Sequence, residues 1–420
     1  MTGYIDVERA RHLMSRSGLD ALLLCTPEDF FYATGYRSML FELYRHAPIA
    51  LALLPYSENV EPAIIVPQMD VEGARKAAGI KDVRGYPVWA ERYGLEALER
   101  TSAESAGLPG EAPSESGEPL PEQYDREGIC GLVAAVLRDR GLSRGTIGLE
   151  LDFVDVNTFS YLTRANEGVV FVDSTSLMDE LRCVKGAAEV EWLQKACALT
   201  EAGLVAGAAS IDEGASEASI RQALSRGAWL AAERMGLANV LEVVGGQIEV
   251  GGPGGSIEGL VVKRTGAVVK FDVQVRVSGY HSDVGRTYVH GAALGVQRRV
   301  YEVLLEAHAR ARETLRPGTP VCDVYDVALQ TIRSAGFGLY RRGHFGHSVG
   351  LDPKIEEPPF ISATEKRPLA PGMVLALETP FYLTGLGAFQ LEDMCLITEH
   401  GAEILSALPR ELQEVPLSSR

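Results

Sequence analysis

Apolar and polar positions fall into two regimes along this chain. From Val7 to about Ser174, short apolar runs are separated by amphipathic stretches. Asp20 to Cys25 (DALLLC), Ala47 to Pro55 (APIALALLP), Pro62 to Val66 (PAIIV), Thr146 to Leu151 (TIGLEL) and Val169 to Val172 (VVFV) have the length and continuity of buried strands. Val7 to Ser17 and Glu127 to Arg140 carry helical patterns between them. Strands alternating with helices predict an α/β domain. Between Thr101 and Gln123 the chain turns to Ser, Glu, Gly and Pro, a composition that buries too little apolar area to offset its ordering entropy. That stretch, 101–123, reads as a mobile surface insertion.

The second regime begins near Met178. The segment Met178 to Glu191 (MDELRCVKGAAEVE) leads into a helical pattern running to about Ala209, with Leu193, Ala196, Leu199 and Ala202 at helical spacing. Past Leu241 the pattern changes to strands and glycine turns, and from Tyr301 to Ala335 it returns to helix. Pro371 and Gly372 then introduce a strand over Met373 to Leu377. These features predict an α/β domain over 1–177 followed by an α+β domain of helices around a sheet over 178–420. A length of 420 residues agrees, because single cores stop growing at about 250–300 residues.

Composition narrows the class of protein. With 46% hydrophobic and 23% charged residues, each domain has enough apolar surface for a core. The net charge is −17, and Lys and Arg nowhere cluster into a stripe that could track phosphates, which argues against nucleic acid as a partner. The N-terminus lacks a basic start and an apolar core, and the longest apolar stretch, Ala47 to Pro55, is far shorter than the roughly 20 residues that span a bilayer. A cytoplasmic protein without membrane contact is expected. Six widely spaced cysteines without a CxxC pair fit reduced thiols.

The chemistry is concentrated in the second domain. Val268 to Asp272 is an apolar strand ending in a carboxylate, and Ser278 to Asp283 supplies a second carboxylate after a glycine turn. Adjacent antiparallel strands joined this way can point both acids into one pocket. Gly343 to Gly350 frames His347 with glycines that permit close backbone approach. Leu375 to Pro380 places Glu378 at the end of an apolar strand, and Gln390 to Asp393 repeats the arrangement with Glu392. Buried carboxylates are costly unless paired or metal-bound, and too few basic side chains lie near them in sequence to neutralise them. Oxygen ligands plus one imidazole suit Mn²⁺, Fe²⁺, Co²⁺ or Zn²⁺ in a two-metal arrangement.

The motifs FDVQVRVSGYHSDVGRT, GHFGHSVGLD, PGMVLALETP and LEDMCLIT, with the linker LRCVKGAAEVE, resemble those of the pita-bread superfamily of prolidase, aminopeptidase P, methionine aminopeptidase and creatinase. The resemblance implies a pita-bread domain behind a creatinase-like N-terminal domain, and a homodimer. It implies one metal on Asp272, bridging by Asp283 and Glu392, and a second metal completed by His347 and Glu378. Glu378 would also shuttle the proton of the attacking water.

Departures from that pattern are equally informative. Family peptidases carry a His shortly after the ligand His, where this chain has Lys354, and another ahead of the first Asp ligand, where it has Gly251 to Ser256. An Arg often found before the last Glu ligand is replaced by Gln390. His344 is a candidate stand-in for a missing histidine, and His281 a candidate neighbour that orients a ligand. The run Gly245 to Gly255 lacks the strand, GxGxxG and helix order of a nucleotide site and reads as a tight turn or substrate loop, with Gly255 a candidate substrate contact. In related dimers the N-terminal domain contributes to the partner's site, so Arg45 and His46 are candidate substrate contacts, with a solvated surface Arg as the competing reading.

The leading expectation is a metal-dependent hydrolase of an amide or peptide bond in a small peptide or amino-acid derivative, similar to Xaa-Pro dipeptidases. A creatinase-like amidine hydrolase or lyase on a small zwitterion is the alternative enzyme, and a non-catalytic pita-bread binding protein is the alternative outside catalysis.

Overall fold

The computed structural model describes residues 3–90, 119–251, 262 and 266–417. The chain forms two compact units, Met1–Leu181 and Arg182–Arg420. Most of the expected insertion, 101–118, and the candidate contact Gly255 lie outside the described residues.

The first unit is built on strands β1 (Ala21–Leu24), β2 (Leu51–Pro55), β3 (Ala63–Pro67), β4 (Asp82–Tyr86), β5 (Thr146–Leu149) and β6 (Val170–Asp173), in the order β4-β3-β2-β1-β5-β6. β1, β2 and β3 are buried along their whole length, as their unbroken apolar runs require. β2 starts at Leu51 rather than Ala47, because Pro48 has no N–H to give a ladder. β6 is not the buried strand its VVFV sequence suggests. It forms the edge of the sheet, with Val170 exposed and Phe171 and Val172 half-buried. Helix Val7–Ser17 is capped by Asp6, whose Oδ1 accepts from Arg9 N at 3.0 Å.

The second unit is α+β, with a curled ten-stranded sheet of the pita-bread type. Its strands are β7 (Leu241–Val250), β8 (Ala267–Val277), β9 (Tyr280–His281), β10 (Val284–His290), β11 (His344–Ser348), β12 (Glu357–Ser362), β13 (Val374–Glu378), β16 (Glu392–Thr398), β17 (Gly401–Ile404) and β18 (Gln413–Val415), and β14 (Phe381–Leu383) with β15 (Gly387–Phe389) forms a separate hairpin. The main path runs β12-β11-β13-β16-β10-β8-β7. Helices Ala187–Ala209 and Glu217–Met235 pack on β7 and β8 through Leu199, Ala228, Ala232, Val275 and Val277. Helices Gly295–Glu313 and Val321–Ser334 share a second core with β11, β13 and β16, in which Leu304, Val324, Phe345, Leu375 and Cys395 are buried. The single helix expected over 301–335 is thus two, interrupted at Pro317 and Gly318, where a proline cannot continue the hydrogen-bond ladder.

Gly245 to Val250 is also not a turn. It is the second half of β7, which pairs along β8 from Leu241 to Val250. Gly246 (φ 122°) permits this, since a Cβ there would stand 2.2 Å from the Asp272 carbonyl oxygen.

Candidate metal centre

Register alone brings the predicted ligands together. Glu378 on β13 pairs with Glu392 on β16, Glu392 with Gly285 on β10, Gly285 with Asp272 on β8, and Asp272 with Gln247 on β7. Residues opposite one another in a ladder share a face, so Glu378, Glu392 and Asp272 stand on one side of the sheet. Asp283 lies two residues before Gly285 and has the same orientation. His347 pairs with Ala376, two residues before Glu378, and joins the same face. The alternate positions Phe271, Val273, Val275 and Val277 turn the other way into the apolar interior. All five predicted ligands therefore line one face, although they come from five chain segments.

Three of them converge. Ligand atoms of Asp283, His347 and Glu392, all buried, lie within 4.8 Å of one another. His347 Nε2 is 3.7 Å from Asp283 Oδ2, while its Nδ1 is 3.0 Å from the Ser348 carbonyl oxygen. A carbonyl only accepts, so Nδ1 carries the proton and the Nε2 lone pair faces the carboxylates. Gly346 (φ 129°) lets β11 approach β13 this closely, since a Cβ there would meet the Ala376 carbonyl oxygen at 1.9 Å.

The electrostatics fit a cation. Burial raises the Asp283 carboxyl well above the usual range, and Asp272 and Glu378 push it further. Glu392 is raised by burial and then by Asp283, Asp272 and Glu378. Asp283 Oδ1 is buried and has no hydrogen-bond partner among the described residues. Acids that crowd one another, with an orphaned oxygen and an imidazole lone pair aimed at them, match the donor set of a divalent transition ion.

Asp272 and Glu378 flank this triad and have partners of their own, overturning the expectation that basic groups are lacking. Lys270, wholly buried on β8, places Nζ 3.3 Å from Asp272 Oδ2 and 3.2 Å from Glu249 Oε1. Burial alone would lower its pKa, but Asp272, Tyr382 and Glu249 outweigh that and raise it. Arg342 donates from Nη2 to Glu378 Oε1 at 2.7 Å and from Nε to the His344 carbonyl oxygen at 2.8 Å. Strand alternation could have exposed Lys270, two residues from Asp272 and so on its face. Arg342 stands just ahead of β11, and no periodicity marks it.

His344 Nδ1 lies 3.4 Å from Glu378 Oε1, with the ring half-buried and its pKa lowered by burial. Buried Gln390 donates from Nε2 to Glu392 Oε2 at 2.9 Å, and its own Oε1 is buried without a partner among the described residues. Buried His281 lies on β9 opposite Arg276. Lys354 is exposed, in the turn between β11 and β12, and forms no ion pair among the described residues. In the first unit, Arg45 makes a bidentate pair with Glu28, at 2.7 and 3.0 Å, and His46 Nε2 is 3.2 Å from Asp155 Oδ2.

Residues 7–184 match the creatinase/prolidase N-terminal domain, and residues 191–399 match metallopeptidase family M24. The chain belongs to metallopeptidase family M24. Among its M24 relatives, it is 32% identical over 273 residues to an Xaa-Pro dipeptidase of Pyrococcus furiosus, spanning 64% of this chain and 75% of that one. It is 26% identical over 410 residues to the putative dipeptidase YkvY of Bacillus subtilis, spanning 97% and 98% of the two chains. An Xaa-Pro dipeptidase from Bacillus anthracis superposes with a TM-score of 0.76 at 22% identity, over 97% of this chain and 99% of that one, and so shares the fold. Family and triad together support a metal-dependent hydrolase.

Proposed function

We propose that this protein is a metal-dependent dipeptidase-type enzyme that hydrolyses the amide bond of small peptides or amino-acid derivatives. The convergence of Asp283, His347 and Glu392 beside Glu378 carries the reading. Mn²⁺, Co²⁺, Fe²⁺ or Zn²⁺ suits that mixed carboxylate and imidazole set. A bound divalent ion supplies Lewis-acid polarisation of a carbonyl and makes water at the centre more acidic.

The chain's own groups handle orientation and protons. His347, fixed by its Nδ1–H bond to Ser348, presents Nε2 in one direction. Gln390 aims Glu392 through its amide. Glu378 at the end of β13 takes a proton from the attacking water and delivers it to the departing amine nitrogen, so that water adds across the broken C–N bond. Arg342 holds that carboxylate in place with a 2.7 Å hydrogen bond to Oε1, and the His344 ring lies beside the same oxygen at 3.4 Å.

Substrate preference departs from the Xaa-Pro pattern. Histidines that hold the scissile carbonyl and oxyanion in family peptidases have no counterpart at their usual offsets, and loss of one oxyanion donor costs about 10²–10³ in turnover. The decisive experiment assays chelator-treated protein, with each metal restored, on ordinary dipeptides, Xaa-Pro dipeptides, N-acyl amino acids and guanidino compounds. Metal-dependent cleavage of non-proline dipeptides or N-acyl amino acids is expected, with Xaa-Pro kcat/KM below about 10⁴ M⁻¹s⁻¹. No turnover with any metal refutes the enzyme reading. Turnover confined to guanidino compounds favours the amidine hydrolase instead.

A further inference from the structure

The acidic face already contains a cation that the chain supplies itself. Lys270 is wholly buried, and its ammonium lies between Glu249 Oε1 at 3.2 Å and Asp272 Oδ2 at 3.3 Å, with the Tyr382 hydroxyl 3.4 Å away. Lys270 pairs with Glu249 on β7 and with Thr287 on β10, so its strand position is enclosed on both sides. We infer that the centre binds one divalent ion tightly, at Asp283, His347 and Glu392, and that the Lys270 ammonium takes the place of a second ion beside Asp272. This inference rests on the reading of the site as a metal centre.

Geometry separates the two halves of the face. Asp283, His347 and Glu392 have ligand atoms within 4.8 Å of one another, and Asp272 is not in that set. Asp272 Oδ2 faces the ammonium instead. Lys270 cannot leave by rotating its side chain, because it is fully buried, whereas Arg342 bonds only Oε1 of Glu378 and, at 21% exposed, is screened by solvent as Lys270 is not. Oε2 of Glu378 therefore remains available to an ion in the triad, while Asp272, although 26% exposed, keeps Oδ2 against an ammonium that has no route to solvent. A divalent ion at Asp272 would sit within a few ångströms of a buried positive charge. At an intermediate dielectric that repulsion weakens a second site by about 100-fold or more.

Titration of chelator-treated protein with Mn²⁺, followed by calorimetry and electron paramagnetic resonance, tests the inference. The wild type should take up one tight ion per chain with the spectrum of an isolated Mn²⁺, and any second ion should bind at least about 100-fold more weakly. Two ions with affinities within about tenfold, or an exchange-coupled pair at two equivalents, would overturn the inference and leave the metal-centre reading standing. No binding of Mn²⁺, Co²⁺, Fe²⁺ or Zn²⁺ would refute both. Lys270→Met should convert the protein to two tight ions with a coupled spectrum. Because that variant leaves Glu249 and Asp272 facing each other, Lys270→Met with Glu249→Gln is the paired test, with folding checked by circular dichroism. If a folded variant still takes one ion, the lysine is not what excludes the second.

Discussion

Arg342 donates from Nη2 to Oε1 of Glu378 at 2.7 Å, setting a guanidinium against the carboxylate that ends β13. Burial acts to lower the Arg342 pKa, but Glu378 outweighs it and the net shift is upward. Arg342→Met should lower kcat by about 10–100-fold with little change in metal content, since groups that orient a reacting side chain have effects of that size. Arg342→Lys should recover only part of this, because an ammonium cannot reproduce the planar fork that also bonds the His344 carbonyl. Unchanged kcat in Arg342→Met would remove the residue from the machinery.

Glu378→Gln preserves shape and an oxygen but removes the basic carboxylate. Turnover should fall by about 10² or more, with the fold and the Asp283, His347 and Glu392 site retained. Metal content measured on the same sample separates a lost base from a lost ion.

Gly346→Ala tests the backbone approach that positions His347. The added Cβ would lie 1.9 Å from the Ala376 carbonyl oxygen at φ 129°, so β11 must move away from β13. A loss of about 2 kcal/mol or more in unfolding free energy is expected, together with weakened metal binding. Denaturant melts and a metal titration of the variant report both, and wild-type values would show that the strands can separate without cost.

Acid should destabilise the protein through His308. Its ring is buried, with Nε2 3.2 Å from the Leu377 carbonyl oxygen, and burial lowers its pKa from 6.5 to about 4. Between those values the unfolded chain binds a proton that the folded chain refuses, so stability falls as pH drops from 6.5 towards 4, by on the order of 3 kcal/mol. Asp393, whose pKa is lowered by His308, Arg286 and Arg410 against the opposing effect of burial, adds a loss of the same sign at still lower pH. In metal-free protein, His308→Gln should flatten the dependence of melting temperature on pH between 6.5 and 4. An unchanged slope would assign the acid sensitivity to other groups.

Short-range chemistry in the sequence determined much of this protein. Apolar runs specified β1, β3, β5 and β13, helical spacing marked Ala187–Ala209, and five acidic and imidazole residues at the ends of strands or between glycines marked the sheet face on which Asp283, His347 and Glu392 converge. The two-unit organisation followed from length and from the change of pattern near Met178. Tertiary structure decided what depends on strand order. VVFV is as apolar as a core strand, yet β6 closes the edge of its sheet, and only the sheet order reveals that. The glycines of β7 looked like a turn because their use is to admit the neighbouring β8 backbone, a contact that local sequence does not encode. Lys270 and Arg342 likewise acquire their roles from where the ladders place Asp272, Glu249 and Glu378. Charge pairing in a buried site is fixed by distances between strands, and those are set by the whole sheet rather than by any one segment.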